Sequence, residues 1–166
     1  MRIDTKLVDP LATLPGFPPA EANLALRNLI RAKMVKLATG QQMVTFLQNK
    51  GVSVTKLTNA QIRDGNNNGV SLVSLTPAQR TALIQKTPLW FYILREAEFN
   101  NGKLKGVGAR IVAETFHRAM EGSTHSIVRD EDFRPSLGPN NQTFRMVDLL
   151  FFAFQGQAAK LNPLGN

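Results

Sequence analysis

Three segments of this chain place a threonine three residues ahead of a glutamine: Thr39-Gly40-Gln41-Gln42, Thr58-Asn59-Ala60-Gln61 and Thr76-Pro77-Ala78-Gln79. In that spacing the threonine hydroxyl accepts from an early helical amide while the glutamine carbonyl accepts from the threonine's own amide. Two backbone donors orphaned at a helix start are satisfied reciprocally. Each occurrence marks a helix start, and a chain that starts helices this often leaves little room for sheet. Thr87-Pro88 predicts a fourth start, a hydroxyl cap followed by a proline whose missing N–H costs nothing at the first helical position. Apolar residues recur between these marks at three- and four-residue spacing, without long alternating strands. The pattern predicts an all-α chain with helices over residues 22–37, 40–49, 59–63, 77–85, 88–100, 107–121 and 145–155.

With 166 residues, 43% of them hydrophobic, the chain has enough apolar material for one core, and residues 1–166 read as a single helical segment without internal repeat or linker. The first fifteen or so residues, with Pro10, Pro15, Pro18 and Pro19 nearby, cannot form a long helix and are expected to run extended across another surface. Three polar breaks come later, at residues 64–69, 98–106 and 130–142. No run approaches the roughly 20 apolar residues of a membrane span, and no apolar stretch follows Arg2 as a secretory signal requires. With no cysteine, thiolate ligands, thiol nucleophiles and iron–sulfur clusters are excluded. The net charge of +8 is spread along the chain rather than gathered in blocks or interleaved with aromatic residues, so no nucleic-acid partner is expected.

Polar residues inside apolar helices are the candidates for chemistry. In Leu24-Ala25-Leu26-Arg27-Asn28-Leu29-Ile30-Arg31 an asparagine and two arginines interrupt an apolar stretch. They need partners, which are either backbone carbonyls of neighbouring helices or a bound group. His117 and His125 are the chain's two imidazoles, read as ordinary helix-end and loop residues. Asp64-Gly65-Asn66-Asn67-Asn68-Gly69 matches the opening of a calcium loop, but its twelfth position is Leu75 rather than a bidentate glutamate, so a polar turn is expected. Leu89, Trp90, Ile93, Leu94 and Ala97 form one predicted core stripe, and Ile111, Val112, Phe116, Ala119 and Met120 another. Arg95, Glu96, Glu98, Arg110 and Glu114 are expected to pair across those two helices. No nucleophile–base pair, paired carboxylate or phosphate-cradling loop is present.

The run Thr87-Pro88-Leu89-Trp90-Phe91-Tyr92-Ile93-Leu94-Arg95-Glu96-Ala97-Glu98, then Gly106-Val107-Gly108-Ala109-Arg110-Ile111-Val112-Ala113-Glu114, resembles the C-terminal end of the animal-type haem peroxidases, in particular their bacterial members. Asp4-Thr5-Lys6-Leu7-Val8-Asp9-Pro10-Leu11, Thr39-Gly40-Gln41 and the closing Phe144–Phe154 stretch are similar to the same family. The resemblance implies the C-terminal third of a mainly helical catalytic domain, part of an oxidoreductase that uses hydrogen peroxide to oxidise small electron donors. It implies haem as cofactor, with the axial histidine, the distal histidine and the catalytic arginine outside this chain. The remainder of the domain, or a second chain, is then its partner. It also implies that Asn28 accepts a hydrogen bond from the proximal imidazole, that Arg31 lies by the haem propionates, and that Leu24 lines the same wall. Ala32-Lys33-Met34 departs from the longer basic, histidine-containing run of the animal members. The alternative is a non-catalytic helical interaction module, a degenerate remnant of such an enzyme.

Overall fold

The computed structural model describes residues 3–161, and among them it is all-α. The helices are α1 (Asp9–Ala12), α2 (Leu24–Met34), α3 (Gly40–Asn49), α4 (Asn59–Asp64), α5 (Pro77–Gln85), α6 (Leu89–Glu98), α7 (Gly106–Glu121) and α8 (Met146–Ala153), followed by a 3-10 turn at Ala158–Leu161. No helix among the described residues is long and apolar enough to cross a membrane. Among the described residues, 3–113 form one compact unit and 114–161 another, the division falling within the α7 segment.

All three Thr-x-x-Gln boxes form. The amides of Gln42, Gln61 and Gln79 donate to Thr39, Thr58 and Thr76 Oγ1 at 3.2, 3.1 and 3.3 Å, and the glutamine carbonyls accept from the threonine amides at 2.8, 2.8 and 3.0 Å. The fourth predicted cap does not form. Pro88 occupies the cap position of α6, and Thr87 is instead buried, its hydroxyl donating to Leu83 O at 3.0 Å and accepting from Gln41 Nε2 at 2.8 Å. Gln41 Nε2 also reaches Ile84 O, Thr87 N donates to Gln41 Oε1, and the Gly40 amide donates to Thr87 O. One threonine thus fastens the start of α3 to the α5–α6 junction. The hydroxyl is oriented by these tertiary bonds rather than toward the first amides of α6.

In the larger unit α3 and α4 pack on α6, and α5 packs on α4. Val44, Leu47, Val54, Leu57, Ile62, Leu89, Tyr92 and Val107 form the core, with Met43, Leu83, Ile84, Ile93 and Ile111 partly buried against it. A Cβ at Gly40 would overlap the Tyr92 ring, so the α3–α6 approach requires glycine there. Tyr92 OH accepts from the Leu57 amide at 2.7 Å, and burial is the main influence raising its pKa.

Helix α6 is buried almost all round rather than along the predicted stripe. Leu89 and Ala97 are buried as expected, while Trp90, Ile93 and Leu94 are half-buried and Tyr92, Arg95, Glu96 and Glu98 are fully enclosed. The N-terminal segment contains the one-turn helix α1, and it is fastened by Ile3 N donating to Gly102 O and by Thr5 bonding to Glu98. Ile3 and Thr5 thus lie against the end of α6 and the turn after it, whereas Asp9–Ala12, expected to be extended, are helical and pack on α2.

The second predicted stripe is corrected. Ile111 is half-buried, whereas Val112, Phe116, Ala119 and Met120 are exposed. Among residues 114–160 none is buried, and Phe144, Met146, Phe151 and Phe152 of the α8 region are exposed as well. This smaller unit has helices but no core of its own.

Candidate functional site

Helix α2 carries the three candidate residues. Asn23 caps it, its side chain accepting from Leu26 N at 2.9 Å, and this sets the register of the rest of the helix. At 100° per residue, Leu24, Asn28 and Arg31 fall within about 60° of one face. Leu24 and Asn28 are half-buried and Arg31 is exposed. Among the described residues the Asn28 amide and the Arg31 guanidinium make no side-chain hydrogen bond or ion pair, so neither is spent on neighbouring backbone carbonyls. Arg27 behaves differently: it stacks on Phe17 at 4.1 Å and sits 3.7 Å from Glu21 Oε2. The face therefore offers an apolar residue, a free amide carbonyl and a free cation in line.

The histidines lie elsewhere. His117 is exposed on α7 with Nδ1 4.0 Å from Glu121 Oε2, and His125 is exposed in the loop beyond. No group of three metal-ligating side chains occurs among the described residues.

The polar loop at residues 64–69 has a structural purpose that its resemblance to a calcium loop conceals. Asp64, at the first ligand position, is held by Arg63 through two bonds of 2.8 and 2.7 Å, and the Arg63 guanidinium keeps its carboxyl below the ordinary range. Asn66, at the third, turns inward to donate to Glu98 O and accepts from Asn68 N at 3.0 Å. The loop closes over a buried ion pair: Arg95 Nη1 donates to Glu98 Oε2 at 2.9 Å, with side-chain exposure of 0% for both. Arg95 Nη2 donates to Val70 O at 3.0 Å, and its guanidinium lies 5.0 Å from the Phe91 ring centre. Glu98 Oε1 accepts from Thr5 N at 3.1 Å and from Thr5 Oγ1, which in turn accepts from Val70 N at 2.7 Å. A Cβ at Gly65 would fall on Arg95 Nη1 and one at Gly69 on Glu98 Oε1, which explains the glycines.

For the three α6 residues the expected pairing with α7 is corrected: Arg95 pairs with Glu98 within its own helix, and Glu96 accepts from the Val107 and Gly108 amides at 3.2 Å each. That carboxylate satisfies the first amides of α7, a task no pairing argument from side-chain charges would assign to it.

Haem requires an axial ligand on its iron. The residues present do not fit a complete haem site, because both imidazoles, His117 and His125, are exposed rather than enclosed as a haem-iron ligand would be. They fit only a supporting part, an amide that can accept from an imidazole N–H and a guanidinium that can pair with a carboxylate. Sequence reasoning overlooked the other side of the same helix. Leu26, Ile30 and Met34 are exposed along a groove of about 340 Å³, and their four-residue spacing was the available signal. Comparison with known protein families, with curated proteins and with solved structures finds no match to this chain.

Proposed function

We propose that this chain is the C-terminal part of a haem peroxidase catalytic domain of the peroxidase–cyclooxygenase type, an oxidoreductase that uses hydrogen peroxide to oxidise small donors. The observation that carries this reading is the α2 face on which Leu24, Asn28 and Arg31 line up with the asparagine amide and the arginine guanidinium both unengaged. A half-buried asparagine that spends no bond on its own chain is positioned for an external donor. Asn28 would accept the N–H of an imidazole supplied by the rest of the enzyme, fixing the ring's orientation and raising its basicity. Arg31 would pair with a propionate, and Leu24 would keep water from the same wall. Bound haem would supply the peroxide chemistry; the residues of this chain orient and hold.

A second reading, a non-catalytic interaction module or peroxidase remnant, is favoured by one observation. Residues 114–160 bury nothing and expose Phe116, Phe144, Phe151 and Phe152, as a segment made to be covered would.

Two variants in the haem-bearing protein separate the readings. Asn28→Ala should shift the haem reduction potential with haem retained, with about a 10- to 100-fold loss of activity. Arg31→Ala should mainly speed haem transfer to an acceptor protein, because losing one charge-assisted pair costs about 1.5–3 kcal/mol. If both variants match wild type in redox titration and in haem transfer, or if the protein retains no haem, the module reading replaces this one. The isolated chain should show no peroxidase turnover above that of free haem; turnover abolished by His117→Ala would refute the assignment of the iron ligand to another part of the enzyme.

A further inference from the structure

Helix α2 has no buried residue, although it is eleven residues long and its sequence is largely apolar. Away from Leu24, Asn28 and Arg31 it carries Leu26, Ile30 and Met34, exposed to 45, 50 and 76%. On the helical projection these three span about 80°, centred about 130° away from the Leu24–Asn28–Arg31 face. The two faces share Arg31, which also lines the groove, but the apolar stripe of the second is distinct, so a role for it does not depend on the haem reading of the first.

This stripe is concave and charged along both edges. Ala20 and Glu21 form a wall beside it, giving a groove of about 340 Å³. Lys33 projects along one edge of the stripe and Arg27 and Arg31 along the other, as the helical projection places them. Glu21, 3.7 Å from Arg27, is the sole carboxylate lining the groove. The surrounding unit deepens the bias: residues 2–113 contain fifteen lysines and arginines against six acidic residues, a net charge of +9, and two of those six, Glu96 and Glu98, are buried.

We propose that this groove docks an amphipathic helix from a protein partner, one whose apolar ridge enters between Leu26, Ile30 and Met34 and whose flanks carry aspartate or glutamate. An apolar stripe with i, i+4, i+8 spacing accepts the ridge of a partner helix, and the basic edges set orientation and association rate more than affinity. Charge decides between occupants. A second copy of this chain would bring Arg27, Arg31 and Lys33 against themselves, a like-charge juxtaposition that disfavours self-pairing. An anionic lipid surface suits the charge but not the shape, because a groove walled by Ala20 and Glu21, with a carboxylate at its edge and no aromatic residue in the stripe, matches a ridge of side chains better than a flat headgroup layer.

The probe is a fluorescein-labelled peptide of about 16 residues, roughly 24 Å as a helix, with leucines at heptad spacing and glutamates on both flanks. Its anisotropy is titrated with the purified chain. A peptide with the same leucines and lysine flanks, and vesicles of phosphatidylserine and phosphatidylcholine, are run in parallel. The acidic peptide should bind at least tenfold more tightly than the lysine peptide, and more weakly as salt rises. Ile30→Glu should abolish binding and Lys33→Glu should weaken it severalfold. Both positions are exposed, and unchanged circular dichroism confirms that each variant folds. Equal binding of the two peptides, no effect of Ile30→Glu, or vesicle binding without peptide binding would overturn the proposal. So would a dimer that Ile30→Glu dissolves and the acidic peptide does not displace.

Discussion

Replacing Glu98 by glutamine keeps its shape but removes its charge at the most enclosed ionic contact in the larger unit. Glu98 is 2% exposed and Arg95 0%. The carboxylate meets only donors: Arg95 Nη1 on one oxygen, Thr5 N and Thr5 Oγ1 on the other. An amide group must turn its own NH2 toward one of these donors, which loses a bond, creates a donor–donor contact and leaves the guanidinium buried without a counter-charge. Breaking a buried pair from one side costs about 3–5 kcal/mol. Against a total of about 5–15 kcal/mol for a folded domain, that is a third or more of the stability in many cases. The Thr5 tether goes with it, so the N-terminal segment should become accessible to protease. Arg95→Met should cost a similar amount by stranding the carboxylate. Arg95→Met/Glu98→Gln strands neither charge, leaves an amide oxygen for the Thr5 donors and forfeits chiefly the Arg95 bonds to residue 98 and to Val70, each worth about 1 kcal/mol. The double variant should therefore be more stable than the sum of the singles predicts, by about 3 kcal/mol. Urea unfolding followed by far-ultraviolet circular dichroism at neutral pH measures all four proteins. A Glu98→Gln variant within about 1 kcal/mol of wild type, or additive single and double variants, would refute the reasoning.

The same cluster shows why helices were legible in the sequence and their environments were not. Capping boxes are local: Thr39 and Gln42 lie one turn apart, and nothing distant competes for them. Thr87-Pro88 has equally good local chemistry, but Gln41, 46 residues away, engages the hydroxyl and a tertiary bond displaces the cap. Periodicity placed α6 and α7 correctly but assumed that charged positions face water. Arg95, Glu96 and Glu98 contradict that assumption: the i, i+3 spacing of Arg95 and Glu98 is readable, but the groups that enclose and saturate these side chains, the loop at Gly65–Val70, the Thr5 segment and the first amides of α7, are not encoded by spacing. The candidate face on α2 was legible as a spacing of polar residues in an apolar helix. That its amide and guanidinium would be unengaged was not, since satisfaction by neighbouring carbonyls was the equally local alternative. Helical periodicity also marks Leu26, Ile30 and Met34 as a stripe without telling whether the stripe is core or docking surface. Only the exposure of every such residue on α2 separates the two.

Gly65→Ala combines a positive φ of +63° with a clash on Arg95, and should cost more than Gly51→Ala, which has φ +77° and open space around it. At φ 63° and ψ −153° Gly65 lies in a region open essentially to glycine alone, so backbone strain and the displaced ion pair both add to its cost, and equal urea midpoints for the two variants would refute that reading. Phe151→Ser/Phe152→Ser should reduce self-association of the purified chain at micromolar concentration. A wild-type chain that sediments as a monomer and melts cooperatively would contradict the reading of residues 114–160 as a segment needing cover. Glu96→Gln tests the buried carboxyl that caps α7. Burial is the largest influence on it and raises its pKa above the ordinary 4.5, against the opposing bonds from the Gly108 and Val107 amides and the charge of Lys105. Between the ordinary value and the raised one, the folded chain holds a proton that the unfolded chain has released. Stability contributed by this group is therefore fully present below the ordinary value and falls as pH rises, by at most about 1.36 kcal/mol per pH unit. Glutamine does not titrate, so the unfolding free energy of the variant minus that of wild type should rise with pH through this window and level off above the folded pKa. Urea melts of both proteins from pH 4 to pH 8 measure that difference directly. A difference that falls with rising pH would mean that the helix amides, rather than burial, govern the carboxyl, and that the start of α7 holds Glu96 as a carboxylate.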